Sequence, residues 1–266
     1  MASSYFSGVA RPDDDGHISV SEEWTQGRGI YGGVPAAAMV HAMITAVGRP
    51  EAILRSLTVH FCAPLDPGSA EVNAKIIRSG RRVTHCTAEV VQQGLVKTHC
   101  TASFAAPRVG DLDWREVLMP KVTPPDELPS IPVGKMGGPR FSQYFDYRFP
   151  IEPLPLSGAD TARLCTWIRP VDSPILDTPH AVGLLDAGAP AVMSRLTAPR
   201  AMASIDFRIQ FFTALPLPKV DPTHHWLLDT HARVVGDGYS EEMAWLFAPD
   251  GSPVATCQQL IAIFDG

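Results

Sequence analysis

The sequence holds no block of five or six like charges, and acidic residues outnumber basic ones by 28 to 22, for a net charge of −6. A nucleic-acid binder ordinarily carries a basic surplus, so that class is demoted and no nucleic-acid partner is expected. No apolar run approaches the roughly 18 residues that a membrane span needs, so no membrane partner is expected. The opening MASSYFSGVARPDDDG lacks a basic segment followed by an apolar one, and a signal peptide is not expected. The cysteines, Cys62, Cys86, Cys100, Cys165 and Cys257, contain no CxxC and fit no zinc spacing, so no metal is expected. GxSxG is missing, which leaves a serine nucleophile elbow unsupported. So are a P-loop and GxGxxG, and no cofactor is expected. These absences predict a reduced, cytoplasmic protein.

What is present is a chain of 266 residues, 45% apolar and 19% charged. That length buries roughly three-quarters of the unfolded surface and needs no staple. Residues 33–47, GVPAAAMVHAMITAV, are apolar nearly all round and are followed by Gly48-Arg49-Pro50, which predicts a buried helix stopped by Gly and Pro. Strand-like runs follow at 53–63, 70–78, 83–92 and 95–104, with Gln93-Gly94 as a hairpin turn. From 107 to about 138 prolines recur and periodicity vanishes, as in a surface linker. Strands are then expected at 141–149 and 164–170 and a second apolar helix at 179–196. Further strands are expected at 203–213, 226–235, 242–247 and 254–264, with Asp250-Gly251 as the last hairpin turn.

An apolar helix followed by a four-strand meander therefore occurs twice. Phe61 in SLTVHF and Phe211 in DFRIQF stand 150 positions apart, and the same offset lays Ala36 on Asp186. This predicts a duplicated α+β unit: a first domain at 1–106, a proline-rich linker at 107–138 and a second domain at 139–266. The copies differ in polarity. Asp186, Ser204 and Gln259 of the second correspond to Ala36, Leu54 and Ala102 of the first. A carboxylate inside an apolar helix is costly unless it is hydrogen-bonded or functional. A partner for Asp186 among Arg200 and Arg208, or a turn for it to cap, is the competing reading. Asp206, two residues beyond Ser204, is expected on the same strand face and to have a structural role. His85-Cys86 and His99-Cys100 come out of register across the expected hairpin, which argues against a shared metal. His224-His225 is expected at a solvated rim. Phe207, Phe211, Phe212, Met193 and Trp245 are either pocket lining or core.

The strings WTQGRGIYGGVPAAAMVHAM, LRSLTVHFCAPLDPG and TASFAAP in the first copy resemble the acyl-CoA thioesterase II (TesB-like) family, as do LLDAGAP, SIDFRIQFF and DGSPVATCQQ in the second. The resemblance covers most of the chain outside the linker. It implies a double hot-dog, two antiparallel sheets each wrapped around a central helix. It also implies hydrolysis of an acyl-CoA, in fatty acid metabolism, by a water held between an Asp on the second helix, a hydroxyl on the next strand and a Gln on the last. Those positions are Asp186, Ser204 and Gln259, with Ser where the family usually has Thr. Asp orients the water or takes its proton, and Gln, which is no base, positions it. Tyr31, Gly32 and Gly33, opening the first helix, are candidate oxyanion or substrate-binding residues, because a helix N-terminus offers free N–H groups. A tight turn is the other reading of the two glycines. Two further readings stay open: a catalytically inactive acyl-CoA-binding protein of the same fold, and a hot-dog hydratase, whose Asp/His pair has no match near either helix. A homo-oligomer is a hypothesis.

Overall fold

A computed structural model describes residues 6–264 except 109, 172–175 and 222. Its main strands are β1 (His17–Val20), β2 (Ile53–Phe61), β3 (Gly68–Ser79), β4 (Val83–Gln92), β5 (Leu95–Ala105), β6 (Phe145–Arg148), β7 (Arg163–Pro170), β8 (Met202–Phe211), β9 (Trp226–His231), β10 (Tyr239–Phe247) and β11 (Pro253–Ile263). Its two longer helices are α1 (Gly33–Val47) and α2 (Thr178–Ala187). The strands form one antiparallel sheet in the order β1-β3-β4-β5-β2-β8-β11-β10-β9-β7-β6.

The middle of that order is the join between the two halves of the chain. There β2 pairs with β8, with Ser56 opposite Gln210, Thr58 opposite Arg208 and His60 opposite Asp206. Thr58 and Arg208 are 150 positions apart, the same offset that lays the first half of the sequence on the second. Each copy also carries a bulge at the same place, at Arg55 in β2 and at Ile205 in β8, again 150 apart. Pairing the leading strands removes two exposed edges.

α1 is buried from Gly33 through Val40, and it lies against β3, β4, β5 and α2. Pro35 sits in its first turn, where a missing N–H costs nothing. Gly48 closes it in the left-handed conformation (φ 60°), its N–H reaching the Ile44 carbonyl. α2 is capped by Asp177, whose side chain accepts the His180 N–H at 3.1 Å. It is shorter than the expected 179–196. Gly188 and Pro190 end it at Ala187, and a 3₁₀ turn, Ala191–Arg195, follows.

Other expectations shift locally. Phe141 and Tyr144 belong to a 3₁₀ turn, Arg140–Tyr144, behind Pro139, and only 145–148 are extended. The 226–235 run ends as a strand at His231. β1 was not anticipated, being only four residues long. The proline-rich segment crosses the surface but is strapped to it. Val117, Met119, Val122 and Leu128 pack on a small core of Cys165, Trp167, Leu227 and Phe247. Trp167 Nε1 donates to the Thr123 carbonyl at 2.9 Å, and Arg148 reaches the carbonyls of Pro125 and Leu128.

Candidate active site

Asp186 sits in the last turn of α2, after a run from Pro179 to Leu185 that is wholly buried. Its carboxyl meets the opening of α1. A Cβ on Gly32 would lie 3.0 Å from Asp186 Oδ2 and 2.7 Å from the Phe61 ring, and one on Gly33 would strike Tyr31. Both glycines are therefore required by close approach. The Gly33 N–H lies near enough to the Asp186 carboxyl to favour its charged form. Asp186 keeps some surface open to solvent, while protein atoms surround its carboxyl closely. Burial lifts its pKa to about 7, against the lowering effect of the Gly33 N–H. No ion pair among the described residues involves Asp186, so neither Arg200 nor Arg208 neutralises it.

Ser204 and Gln259 meet directly. Ser204 Oγ donates to Gln259 Oε1 at 2.9 Å. The bulge at Ile205 makes this possible. It turns Ser204 inward, against buried Ile261, while Asp206 pairs with exposed Leu260 and accepts its backbone N–H at 3.1 Å. The expectation that Ser204 and Asp206 share a face is thus corrected, because alternation does not survive a bulge. The structural role expected of Asp206 matches its bond to Leu260.

A further polar residue joins Ser204 and Gln259. Gln259 Nε2 donates to Glu242 Oε1 at 2.6 Å, and Glu242 Oε2 accepts the Ala191 N–H. Glu242 is buried, and burial lifts its pKa to about 7, with the charge of Asp186 adding to the rise. The sequence reading missed it. The signal was available: in YSEEMAWLF the inward positions of a strand ending Ala244-Leu246 include Glu242.

Two tyrosines brace the region. The Tyr31 hydroxyl donates to the Gly183 carbonyl, and its ring stacks on Phe141 at 4.0 Å. The Tyr147 hydroxyl donates to the Ala187 carbonyl at 3.1 Å. Burial first, then Asp186, pushes both phenols up, so they stay neutral donors. With its hydroxyl on Gly183 and its ring buried, Tyr31 holds α2 against the opening of α1. The Gly32 N–H, by contrast, has no hydrogen-bond partner among the described residues.

The remaining candidates fall elsewhere. A bulge at Lys97 moves the β4–β5 register by one, so Ala88 faces Cys100 and Glu89 faces His99, and His85-Cys86 stands out of register with His99-Cys100, as expected. Among the described residues no cluster could hold a metal ion. His225 is buried rather than solvated and hydrogen-bonds Asp146 at 2.9 Å. Phe207 and Phe211 are core. Trp245 alternates with the inward residues of β10 and stacks on half-exposed Phe212, so both face outward and line no interior pocket.

The class of protein is given by family comparison. Residues 20–105 match the acyl-CoA thioesterase N-terminal domain and residues 125–263 the acyl-CoA thioesterase C-terminal domain. The chain belongs to the acyl-CoA thioesterase family, whose members are thioester hydrolases. Among solved structures it resembles a conserved hot-dog protein of unknown function from Alicyclobacillus acidocaldarius, at 26% identity, TM-score 0.85 and 98% coverage of both chains. It also resembles acyl-CoA thioesterase II TesB2 from Mycobacterium marinum, at 21% identity and TM-score 0.74, covering 94% of this chain and 93% of that one. The tesB protein of Mycobacterium avium subs paratuberculosis matches at 16% identity, TM-score 0.77 and 98% coverage of both. No curated protein sequence matches. No helix among the described residues is long and apolar enough to cross a membrane.

Proposed function

We propose that this chain is an acyl-CoA thioesterase that hydrolyses its substrate with a water held by Asp186, Ser204 and Gln259, with no covalent intermediate. Two hot-dog units, at 1–106 and 139–266, carry α1 and α2 as their central helices, and the site lies between them. The 150-residue offset shared by the strand join and the bulges supports this reading.

Ionised Asp186 takes a proton from the water as its oxygen attacks the thioester carbon. Gln259 has its carbonyl on Ser204 and one N–H on Glu242, which leaves its second N–H to orient the water. The developing oxyanion is met by N–H groups at the opening of α1, where Gly32 admits close approach and the helix dipole is positive. Collapse expels the CoA thiolate, which takes the proton back from Asp186. Reduced cysteines, all five free, suit the cytoplasm, where acyl-CoA is available.

The observation that carries this reading is the Asp186 carboxyl: buried without a cation, pressed against the opening of α1, and lifted to about 7. A base of that kind is matched to neutral pH. The test is free-thiol release from a panel of acyl-CoAs. Release of CoA supports the proposal. Saturable binding without release identifies an acyl-CoA carrier instead, and hydration of an enoyl-CoA identifies a hydratase.

A further inference from the structure

We infer that Glu242 is a positioning residue of this site: its one carboxylate clamps the two segments that carry Asp186 and Gln259 and fixes which way round the Gln259 amide sits. This rests on the hydrolytic reading above.

Glu242 lies on the inner face of β10, with Ser240, Ala244 and Leu246. Its Oε1 holds Gln259 Nε2 on β11. Its Oε2 holds the Ala191 N–H, which opens the 3₁₀ turn four residues beyond the end of α2. The two oxygens thus tie the strand bearing Gln259 to the exit of the helix bearing Asp186. The first copy has nothing comparable. There Cys86 stands opposite Ala102, where Glu242 stands opposite Gln259. A buried carboxylate with no cation beside it is costly in a core, so a purely structural contact would be met more cheaply by an apolar residue.

The clamp also has a polarity. Ionised, Glu242 only accepts, so both groups facing it must donate, and Gln259 must present Nε2. Its Oε1 is then left for the Ser204 hydroxyl, and its second N–H is free. If Glu242 carries a proton it can donate to Gln259 Oε1, and the amide turns over onto Ser204, whose hydroxyl can accept equally well. The charged or titratable groups facing Glu242 are Asp186 from α2, Cys257 from β11 and its neighbour Glu241, with no cation among them. Like charges in one buried site oppose joint ionisation, so protonation of Glu242 and of Asp186 is coupled.

Glu242→Gln imitates the protonated state without changing shape. Its carbonyl takes the Ala191 N–H, its amide donates to Gln259, and Gln259 reverses with every bond satisfied. The experiment uses the full chain. It measures acyl-CoA hydrolysis, thermal melting and the Gln259 side-chain amide resonances in the wild type and in E242Q. We expect kcat to fall about 10- to 100-fold with KM within about threefold. Melting should stay close to that of the wild type, and the Gln259 amide resonances should move. The acid limb of the rate should move down, because one of the two buried carboxyls that oppose joint ionisation is gone. The swap E242Q/Q259E restores all hydrogen bonds but removes the Gln259 donors, so it should melt normally and remain slow. An active wild type with E242Q within twofold on kcat and an unmoved acid limb overturns the clamp alone, and so does wild-type turnover by the swap. An inactive wild type overturns the hydrolytic reading. In that case the amide resonances still decide the clamp, and identical resonances in E242Q overturn it.

Discussion

Asp186 and Glu242 bind protons more tightly in the folded chain than in an unfolded one, since burial raises both. Their neutral forms therefore favour folding. That contribution is full below the ordinary carboxylate range near pH 4 and is lost as pH rises past about 7. Asp186→Asn removes the buried charge, so its melting temperature relative to wild type should be higher at pH 8 than at pH 5. Thermal denaturation of both proteins at the two pH values checks this, and a variant that melts earlier at pH 8 contradicts it. Catalysis runs the other way. On the proposed mechanism the ionised carboxylate is the working form, so kcat/KM should fall below about pH 7 with an acid limb set by the coupled pair rather than by either residue.

At the scale of the element, the opening of α1 is the tightest part of the site. Gly32→Ala places a methyl 2.7 Å from the Phe61 ring and 3.0 Å from Asp186 Oδ2, so one of them must move. We expect a cost of about 1–3 kcal/mol in stability and a fall in kcat of tenfold or more. Gly48→Ala, strained at φ 60° at the far end of the same helix, should cost about 1 kcal/mol and leave kcat unchanged. Comparing the pair by denaturant melts and turnover separates strain in the helix from strain in the site. These elements also show how far the sequence could be read. α1 was legible residue for residue, because an apolar run between glycines has one reading. Asp186, Ser204 and Gln259 stood out as polar residues where the first copy is apolar. The bulges were not legible: Arg55 and Ile205 look like ordinary strand residues, and only the facing strand shows the extra residue. For that reason the face of Asp206 was misjudged. Glu242 was hidden differently. It stands beside Glu241, and a pair of glutamates in a short strand looks like a solvated face until its alternation with Ala244 and Leu246 is counted.

Over the whole molecule, the two halves of the chain are joined in one sheet through β2 and β8. Asp186 of α2 reaches the opening of α1 from the other half of the chain. On the proposed duplication, neither unit alone would hold both the carboxylate and the glycines. The shared sheet and the contact of α1 with α2 predict that both halves unfold together. Calorimetry should give one transition with matching calorimetric and van't Hoff enthalpies, and two resolved transitions would contradict a single fused core.

The central claim, that the Asp186 carboxylate drives water onto a thioester, is tested most directly by acyl-CoA turnover of Asp186→Asn beside the wild type, with melting recorded on the same samples. The account predicts kcat lower by roughly 10²- to 10⁴-fold in a protein that melts no earlier than wild type at pH 8. A variant that turns over normally, folded molecule for folded molecule, would contradict it.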